Sequence, residues 1–147
     1  MPAHERLVRP LLAAVFAVAA VLVLLRLAAP PHGPVEPAWD RVACARCGML
    51  VSDPVFAAQL HAASGEVFFF DDPGCLLLQR AESAEPRAAA WFHTSDGWLP
   101  DAEVGFVHAP QTPMGHGFAA VRRARVPGAL APEAALAALR ASAGAAP

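Results

Sequence analysis

The sequence predicts an α+β fold in which two small, related β-β-α modules follow an N-terminal transmembrane helix. Three observations support this prediction: an apolar run near the N-terminus, short strand-like segments separated by turn residues, and a helix start directly after two aspartates. The 147 residues have the length of one small domain. A hydrophobic fraction of 56% and a charged fraction of 16% exclude a fully disordered chain. The net charge of -2 and a pI near 6.3 argue against nucleic-acid binding.

The first element is an apolar segment that we assign to a membrane anchor covering residues 1–29. Residues 11–25 are apolar without interruption, and residues 27–29 continue the run after Arg26. As a helix, residues 11–29 would measure roughly 28 Å, close to the ~30 Å hydrocarbon core of a bilayer. Arg6 and Arg9 precede the run, which predicts that the N-terminus is cytoplasmic. The segment would then anchor the chain in the cell membrane, and the rest of the chain would be extracytoplasmic, in the periplasm. A cleaved signal peptide and a buried core helix are the alternatives.

The rest of the chain divides by composition into a linker, a domain and a tail. Residues 30–37 are rich in proline and are predicted to form a stiff linker. Residues 38–125 form the predicted domain, with modules at about 38–85 and 86–125. Residues 126–147 form a tail rich in alanine and proline. Within the tail, residues 132–141 could form a short helix with Pro132 in its first turn.

The first module is predicted from a hairpin followed by a helix. Residues 55–62 and 66–70 have strand-like composition and flank the turn dipeptide Ser64-Gly65. The helix that follows begins at two aspartates, since Asp72 is a good N-cap and Pro73 suits the first helical position. The order is therefore β-β-α behind residues 44–49.

The second module is predicted from three extended segments. Residues 88–94 and 104–108 are predicted strands with Asp96-Gly97 as a turn between them, and residues 118–122 form a further short strand. Each internal methionine precedes a Phe-Ala-Ala sequence, which suggests that the two halves are related.

The sharpest chemical feature is a sulfur-rich motif in which Cys44 and Cys47 are followed by Gly48 and Met49. A C-x-x-C turn brings two sulfurs together, and glycine permits the backbone conformation that the turn needs. The Met49 thioether is a poor ligand for Zn²⁺ and a good one for the soft ion Cu(I). Cys75, at the start of the predicted helix, is positioned as later ligands of zinc sites commonly are.

A second candidate segment lies around Met114 and His116. Apart from the initiator, Met49 and Met114 are the chain's only methionines, and both lie among turn residues rather than in an apolar period. The His116 imidazole also suits copper. The sequence therefore predicts a soft-metal site. The alternatives to a ligand role are that Met114 is a simple loop residue and that Cys75 is a small core residue.

Two other functions fit the cysteines. A structural zinc module would use Cys44, Cys47 and Cys75 with a histidine. A thiol redox protein would use a Cys44–Cys47 couple, and a plain disulfide between these two residues is also open. No catalytic motif accompanies them: Asp71-Asp72 has no partner nucleophile in the sequence. We therefore do not expect an enzyme.

Two stretches of the chain resemble the NosL family, the accessory proteins of nitrous oxide reductase. They are CARCGMLVSDPVFAAQLHAASGEVFFFDDPGCLLL, residues 44–78, and AWFHTSDGWLPDAEVGFVHAPQTPMGHGFAAV, residues 90–121. The C-x-x-C-G-M, F-D-D-x-G-C and T-P-M-G elements support the resemblance, which covers residues 44–125. The first half is also similar to the YHS/TRASH-type treble-clef metal-binding modules.

The NosL resemblance implies a membrane-attached, extracytoplasmic Cu(I) chaperone built of two β-β-α modules. Such a protein would deliver copper for the copper–sulfide centre of nitrous oxide reductase, or to another copper enzyme. An ABC-type transporter and periplasmic accessory proteins would be its partners. The implied metal ligands are Cys47, Met49 and Met114, and Cys44, His116 and Cys75 are further candidates. Many members are lipoproteins, whereas this sequence has an apolar segment and no lipidation cysteine.

Overall fold

The computed structural model describes residues 3–27, 33–83 and 89–144, and in the first helix it describes side chains only for residues 11–25. The chain divides into two compact units, Met1–Pro30 and Pro31–Pro147. The first unit contains the helix α1 (Ala3–Leu27), whose described large apolar side chains are all exposed. Over the part of the chain that the structure describes, no helix combines the length and the hydropathy that crossing a bilayer requires. The predicted anchor reaches beyond the described side chains at both ends and stays a prediction.

The second unit confirms the predicted α+β class, with two antiparallel sheets and two α-helices among its described residues. The first sheet has four strands in the order β2-β1-β3-β4, and the second pairs β5 with β6. In chain order the elements are β1 (Ala58–His61), β2 (Val67–Phe70), α2 (Pro73–Glu82), β3 (Ala89–Thr94), β4 (Gly97–Pro100), β5 (Val104–His108), β6 (Phe118–Arg122), a 3₁₀ turn (Arg123–Arg125) and α3 (Pro132–Gly144).

The first predicted module is present as β1, β2 and α2, but the second is arranged differently from the prediction. β3, which we placed in the second module, pairs with β1 of the first, so that Ala58 lies opposite Phe92. The second β-β-α arrangement consists of β5, β6 and α3 instead. β4 was not predicted, because four residues that end in proline make a weak strand pattern. The predicted module boundary at residues 85 and 86 lies outside the described residues.

The two sheets share one hydrophobic core. The rings of Phe92 in β3 and Phe106 in β5 meet edge to face with centroids 5.1 Å apart, and both side chains are fully buried. Leu76 of α2 belongs to the same core, as do Ala135 and Leu139 of α3. The helix that the sequence placed in a tail therefore packs on the domain, because its Ala135 and Leu139 lie one turn apart on one face.

The other face of the first sheet is covered by the segment that precedes the domain. The Gln59 side-chain amide donates to the Val35 carbonyl at 3.0 Å, and its Oε1 accepts from the Val35 N–H at 2.8 Å. The Glu36 carboxylate accepts from the indole N–H groups of Trp39 and Trp98, at 2.7 and 3.3 Å. The described part of the predicted linker, residues 33–37, is thus held against the sheet.

Candidate metal centre

The C-x-x-C motif forms a tight turn that we call the knuckle, residues 44–49. Its ends are joined by hydrogen bonds from the Cys44 N–H to the Met49 carbonyl at 2.7 Å and from the Gly48 N–H to the Cys44 carbonyl at 3.0 Å. Gly48 has a φ of 76°, a conformation that residues with a Cβ rarely adopt. The Ala45 N–H donates to the Phe69 carbonyl at 2.9 Å, which fixes the knuckle to the end of β2.

The first turn of α2 carries the third thiol to this knuckle. The predicted cap is confirmed: the Asp72 side chain accepts from the Gly74 N–H at 2.7 Å, and Pro73 lies at the start of the helix. This start places Cys75 where its sulfur lies within 4.8 Å of those of Cys44 and Cys47. We call these three sulfur atoms the sulfur cluster; all three cysteines are free thiols.

An ion pair ties the knuckle to the far end of the same helix. The Arg46 guanidinium donates to both carboxylate oxygens of Glu82, at 2.8 and 3.0 Å. This two-point contact has the geometry that arginine and carboxylate groups favour. The knuckle is therefore held against both ends of α2, since Cys75 lies in the first turn of the helix and Glu82 in the last.

The sulfur cluster favours one thiolate over three neutral thiols. The pKa of Cys44 is lowered to about 4, because its thiolate accepts a hydrogen bond from the Cys75 thiol and further bonds from backbone N–H groups, including that of Cys47. The same contact with Cys44 raises the pKa of Cys75, and burial raises the pKa of Cys47. A cluster with one thiolate attracts a soft cation, and binding would release the remaining thiol protons.

A second loop reaches the sulfur cluster from the other half of the domain. This Met114 loop, residues 111–117, connects β5 to β6. The His116 Nε2 lies 3.6 Å from the Cys75 sulfur, and the His116 side chain occupies the space in which a Cβ on Gly74 would lie. The Met114 N–H donates to the second carboxylate oxygen of Asp72 at 3.2 Å. The loop is therefore held at the first turn of α2, beside Cys75.

The two methionines differ from the cysteines in exposure. Cys44 and Cys75 are buried, whereas the Met49 side chain is 53% exposed and that of Met114 is 38% exposed. Both residues lie on segments that meet at the sulfur cluster, one as the end of the knuckle and the other in the Met114 loop. Two of the three thiols are therefore buried, whereas the methionines of the adjoining segments are exposed to solvent.

Three functional features escaped the sequence reasoning or were underrated by it. Gly74 makes room for the His116 ring, and Asp72 bonds the Met114 loop in addition to capping α2. Arg46 gave no signal in the sequence beyond its place inside the C-x-x-C motif, and the structure pairs it with Glu82. The sequence Asp72-Pro73-Gly74-Cys75 offered a signal only for the cap, because the partners of these residues lie about forty positions away.

The fold and the sulfur cluster define an α+β protein with a candidate metal site built from three cysteines. Within the described residues, this cluster is the group of acidic, cysteine and histidine side chains whose geometry could hold a metal ion. No family model matches the chain, and no curated protein or solved structure matches it either.

Proposed function

We propose that this protein is an extracytoplasmic Cu(I)-binding chaperone that passes copper to a copper enzyme. One observation supports this proposal above the others: three cysteine sulfurs lie within 4.8 Å of one another, and both internal methionines lie on the segments beside them. Copper is the cargo of such a protein and not a permanent part of it.

The chemistry of the donor set fits Cu(I). Thiolate and thioether sulfur are soft ligands, and a site that contains both suits Cu(I) better than the harder divalent ions. The thiolate favoured at Cys44 would offset the charge of a monovalent ion. Cys47, whose side chain is partly exposed at the turn of the knuckle, is the thiol best placed to meet both the ion and solvent.

The exposure of the site suits transfer. Cys47, Met49 and Met114 line the open side of the sulfur cluster in this proposal, and the thioethers are neutral ligands that hold copper without a second charge. A partner's ligands can approach from that side, because Met49 and Met114 are 53% and 38% exposed. Release would then proceed by ligand exchange, with Cys44 and Cys75 behind the ion.

The receiving enzyme and the location are proposed from the sequence. The resemblance to NosL supports nitrous oxide reductase as the recipient, with an ABC-type transporter and periplasmic accessory proteins as further partners. The apolar run at residues 11–25 supports attachment to the membrane by α1, with the domain on the periplasmic side. Protease added to intact spheroplasts should digest the domain, and protection of the domain would contradict this location.

Copper binding is tested on the full-length chain, purified in mild detergent because α1 exposes apolar side chains. Under anaerobic conditions, a chromophoric Cu(I) chelator competes with the wild type and with the Cys47→Ser, Met49→Leu and Met114→Leu variants. Leucine keeps the apolar volume of methionine and removes its sulfur, so these are conservative changes. We expect Cys47→Ser to weaken Cu(I) binding most and each leucine variant to weaken it less.

Val55→Leu is the matched control, because it changes an apolar side chain at another exposed position, 56% exposed, that carries no sulfur. This variant should bind Cu(I) as the wild type does. Unchanged affinity in Cys47→Ser would contradict the proposed site. Delivery is tested by mixing the Cu(I)-loaded chain with copper-free nitrous oxide reductase and measuring the copper bound to the enzyme.

A structural zinc site is the second candidate, and the position of His116 favours it. The three cysteine sulfurs lie within 4.8 Å of one another, and the His116 Nε2 lies 3.6 Å from that of Cys75. A shift of the imidazole towards the other two sulfurs would complete a Cys₃His donor set, which is typical of closed tetrahedral zinc sites. One Zn²⁺ per chain that resists weak chelators would support this candidate. It also predicts that His116→Ala weakens metal binding while Met49→Leu and Met114→Leu leave it unchanged.

A further inference from the structure

Asp72 divides its two carboxylate oxygens between different parts of the domain. Oδ1 accepts from the Gly74 N–H at 2.7 Å, which caps α2, and Oδ2 accepts from the Met114 N–H at 3.2 Å. The two bonds are separated by forty residues in sequence and meet on one side chain. Asp72 therefore connects the helix turn that carries Cys75 with the loop that carries Met114.

The cap alone does not require this residue. An N-cap needs one acceptor oxygen, and serine, threonine or asparagine supply it about as well as aspartate. Asp72 is fully buried, and burying a carboxylate costs more than burying a neutral cap unless its oxygens are hydrogen-bonded. The second oxygen is matched to the Met114 amide, so the carboxylate performs a task that a neutral cap of the same length would not.

We propose that Asp72 is a positioning residue that holds the Met114 thioether beside the sulfur cluster by fixing the backbone of its loop to the first turn of α2. The inference rests on the proposed Cu(I) function only in assigning a purpose to this bond. The loop itself has short internal bonds, from the Gly115 N–H to the Thr112 carbonyl and from the Gly117 N–H to the Thr112 hydroxyl. These internal bonds shape the loop. The His116 side chain packs against Gly74, and the Asp72 bond fixes the loop backbone at Met114 itself.

The variant that separates the two roles is Asp72→Asn. Asparagine keeps one acceptor oxygen for the Gly74 N–H, which makes the shorter bond, and turns an N–H group towards the Met114 N–H. The helix cap should survive, and the bond to the loop should be lost. Asp72→Ser is a second variant, since serine also caps helices but offers one acceptor on a shorter side chain.

The first measurement is amide hydrogen exchange on the reduced, metal-free, full-length chain in detergent. In Asp72→Asn the Met114 amide should exchange roughly ten- to hundredfold faster, the factor expected for losing a hydrogen bond to a charged group. The Gly74 amide should keep its rate. Asp71→Asn is the matched control, because it removes the same charge one residue away, where the carboxylate accepts from the Ser52 N–H instead.

The second measurement is Cu(I) affinity by anaerobic chelator competition. Asp72→Asn should weaken binding on the order of ten- to hundredfold, as losses of residues behind a metal ligand do. The effect should be absent when Met114 is already leucine, since the thioether that Asp72 positions is then missing. X-ray absorption of the Cu(I) form should show one sulfur neighbour fewer in Asp72→Asn than in the wild type.

The outcomes separate this inference from the proposed function. If the wild type binds no Cu(I), or Met114→Leu binds it as the wild type does, the proposed function fails while the exchange result still decides whether Asp72 holds the loop. If Met114→Leu weakens binding and Asp72→Asn does not, the positioning role is refuted. It is also refuted if Asp71→Asn weakens binding as much as Asp72→Asn, or if the Met114 amide exchanges at its wild-type rate.

Discussion

Gly74→Ala tests how tightly His116 is seated against α2. A Cβ added at Gly74 would lie 2.5 Å from the His116 Cβ, 2.6 Å from its Cγ and 2.7 Å from its Cδ2. Carbon atoms in contact normally lie ~3.5–4.0 Å apart, so the histidine must retreat by about 1 Å. Because one of the displaced atoms is the Cβ, rotating the side chain does not remove the conflict and the backbone of the loop must move.

The free energy of unfolding should fall even though alanine is the better helix former. Overpacking a site of this kind costs about 1–3 kcal/mol. Replacing glycine by alanine inside a helix stabilises the folded state by up to ~1 kcal/mol. We therefore expect Gly74→Ala to destabilise the reduced, metal-free protein by about 1–2 kcal/mol in urea unfolding.

The effect of Gly74→Ala on the free energy of unfolding should change sign when the His116 side chain is removed. In a His116→Gly background no Cβ remains at position 116, and Gly74→Ala should then be neutral or stabilise by up to ~1 kcal/mol. Gly144→Ala is the matched control, since a Cβ there meets nothing within 4 Å and the residue also lies in a helix. An equal effect of Gly74→Ala in both backgrounds would refute the proposed contact.

Three further predictions concern stability and are all measured by urea unfolding. Phe92→Ala should cost about 3–5 kcal/mol, because it removes a fully buried ring that packs on Phe106 between the two sheets, and a loss below ~1 kcal/mol would contradict this shared core. Leu139→Ala should cost about 2–5 kcal/mol if α3 belongs to the domain, whereas the exposed Arg140→Ala should cost far less. The pKa of Cys44 is lowered from 9.0 in the unfolded chain to about 4 in the fold, so between these two pH values the unfolded chain binds more protons than the folded one. The free energy of unfolding of the reduced protein should therefore rise with pH from about 4 to 9, and this contribution should be lost as the pH falls below about 4. Cys44→Ser should flatten that rise, and an unchanged slope would show that the thiolate is located elsewhere.

The local elements were predictable because their signals are local. Asp72 and Pro73 mark the start of α2 by cap chemistry, and the boundaries of β5 and β6 match the predicted segments 104–108 and 118–122. The partner of β3 was not predictable in this way. Its alternating pattern shows which side chains face inwards, but any antiparallel neighbour with an apolar face satisfies that pattern.

The candidate site also combines features that the local sequence predicts with features that only tertiary packing sets. The sequence by itself determined the donor types and the knuckle, because C-x-x-C-G-M places two thiols and a thioether within six residues and glycine allows the turn. Only the tertiary structure decided that Cys75 joins them, that His116 lies against Gly74, and that one aspartate bonds both the helix and the Met114 loop. These contacts join residues about thirty to forty positions apart, and their geometry depends on how β5, β6 and α2 pack around a common core, which spacing along the chain does not encode.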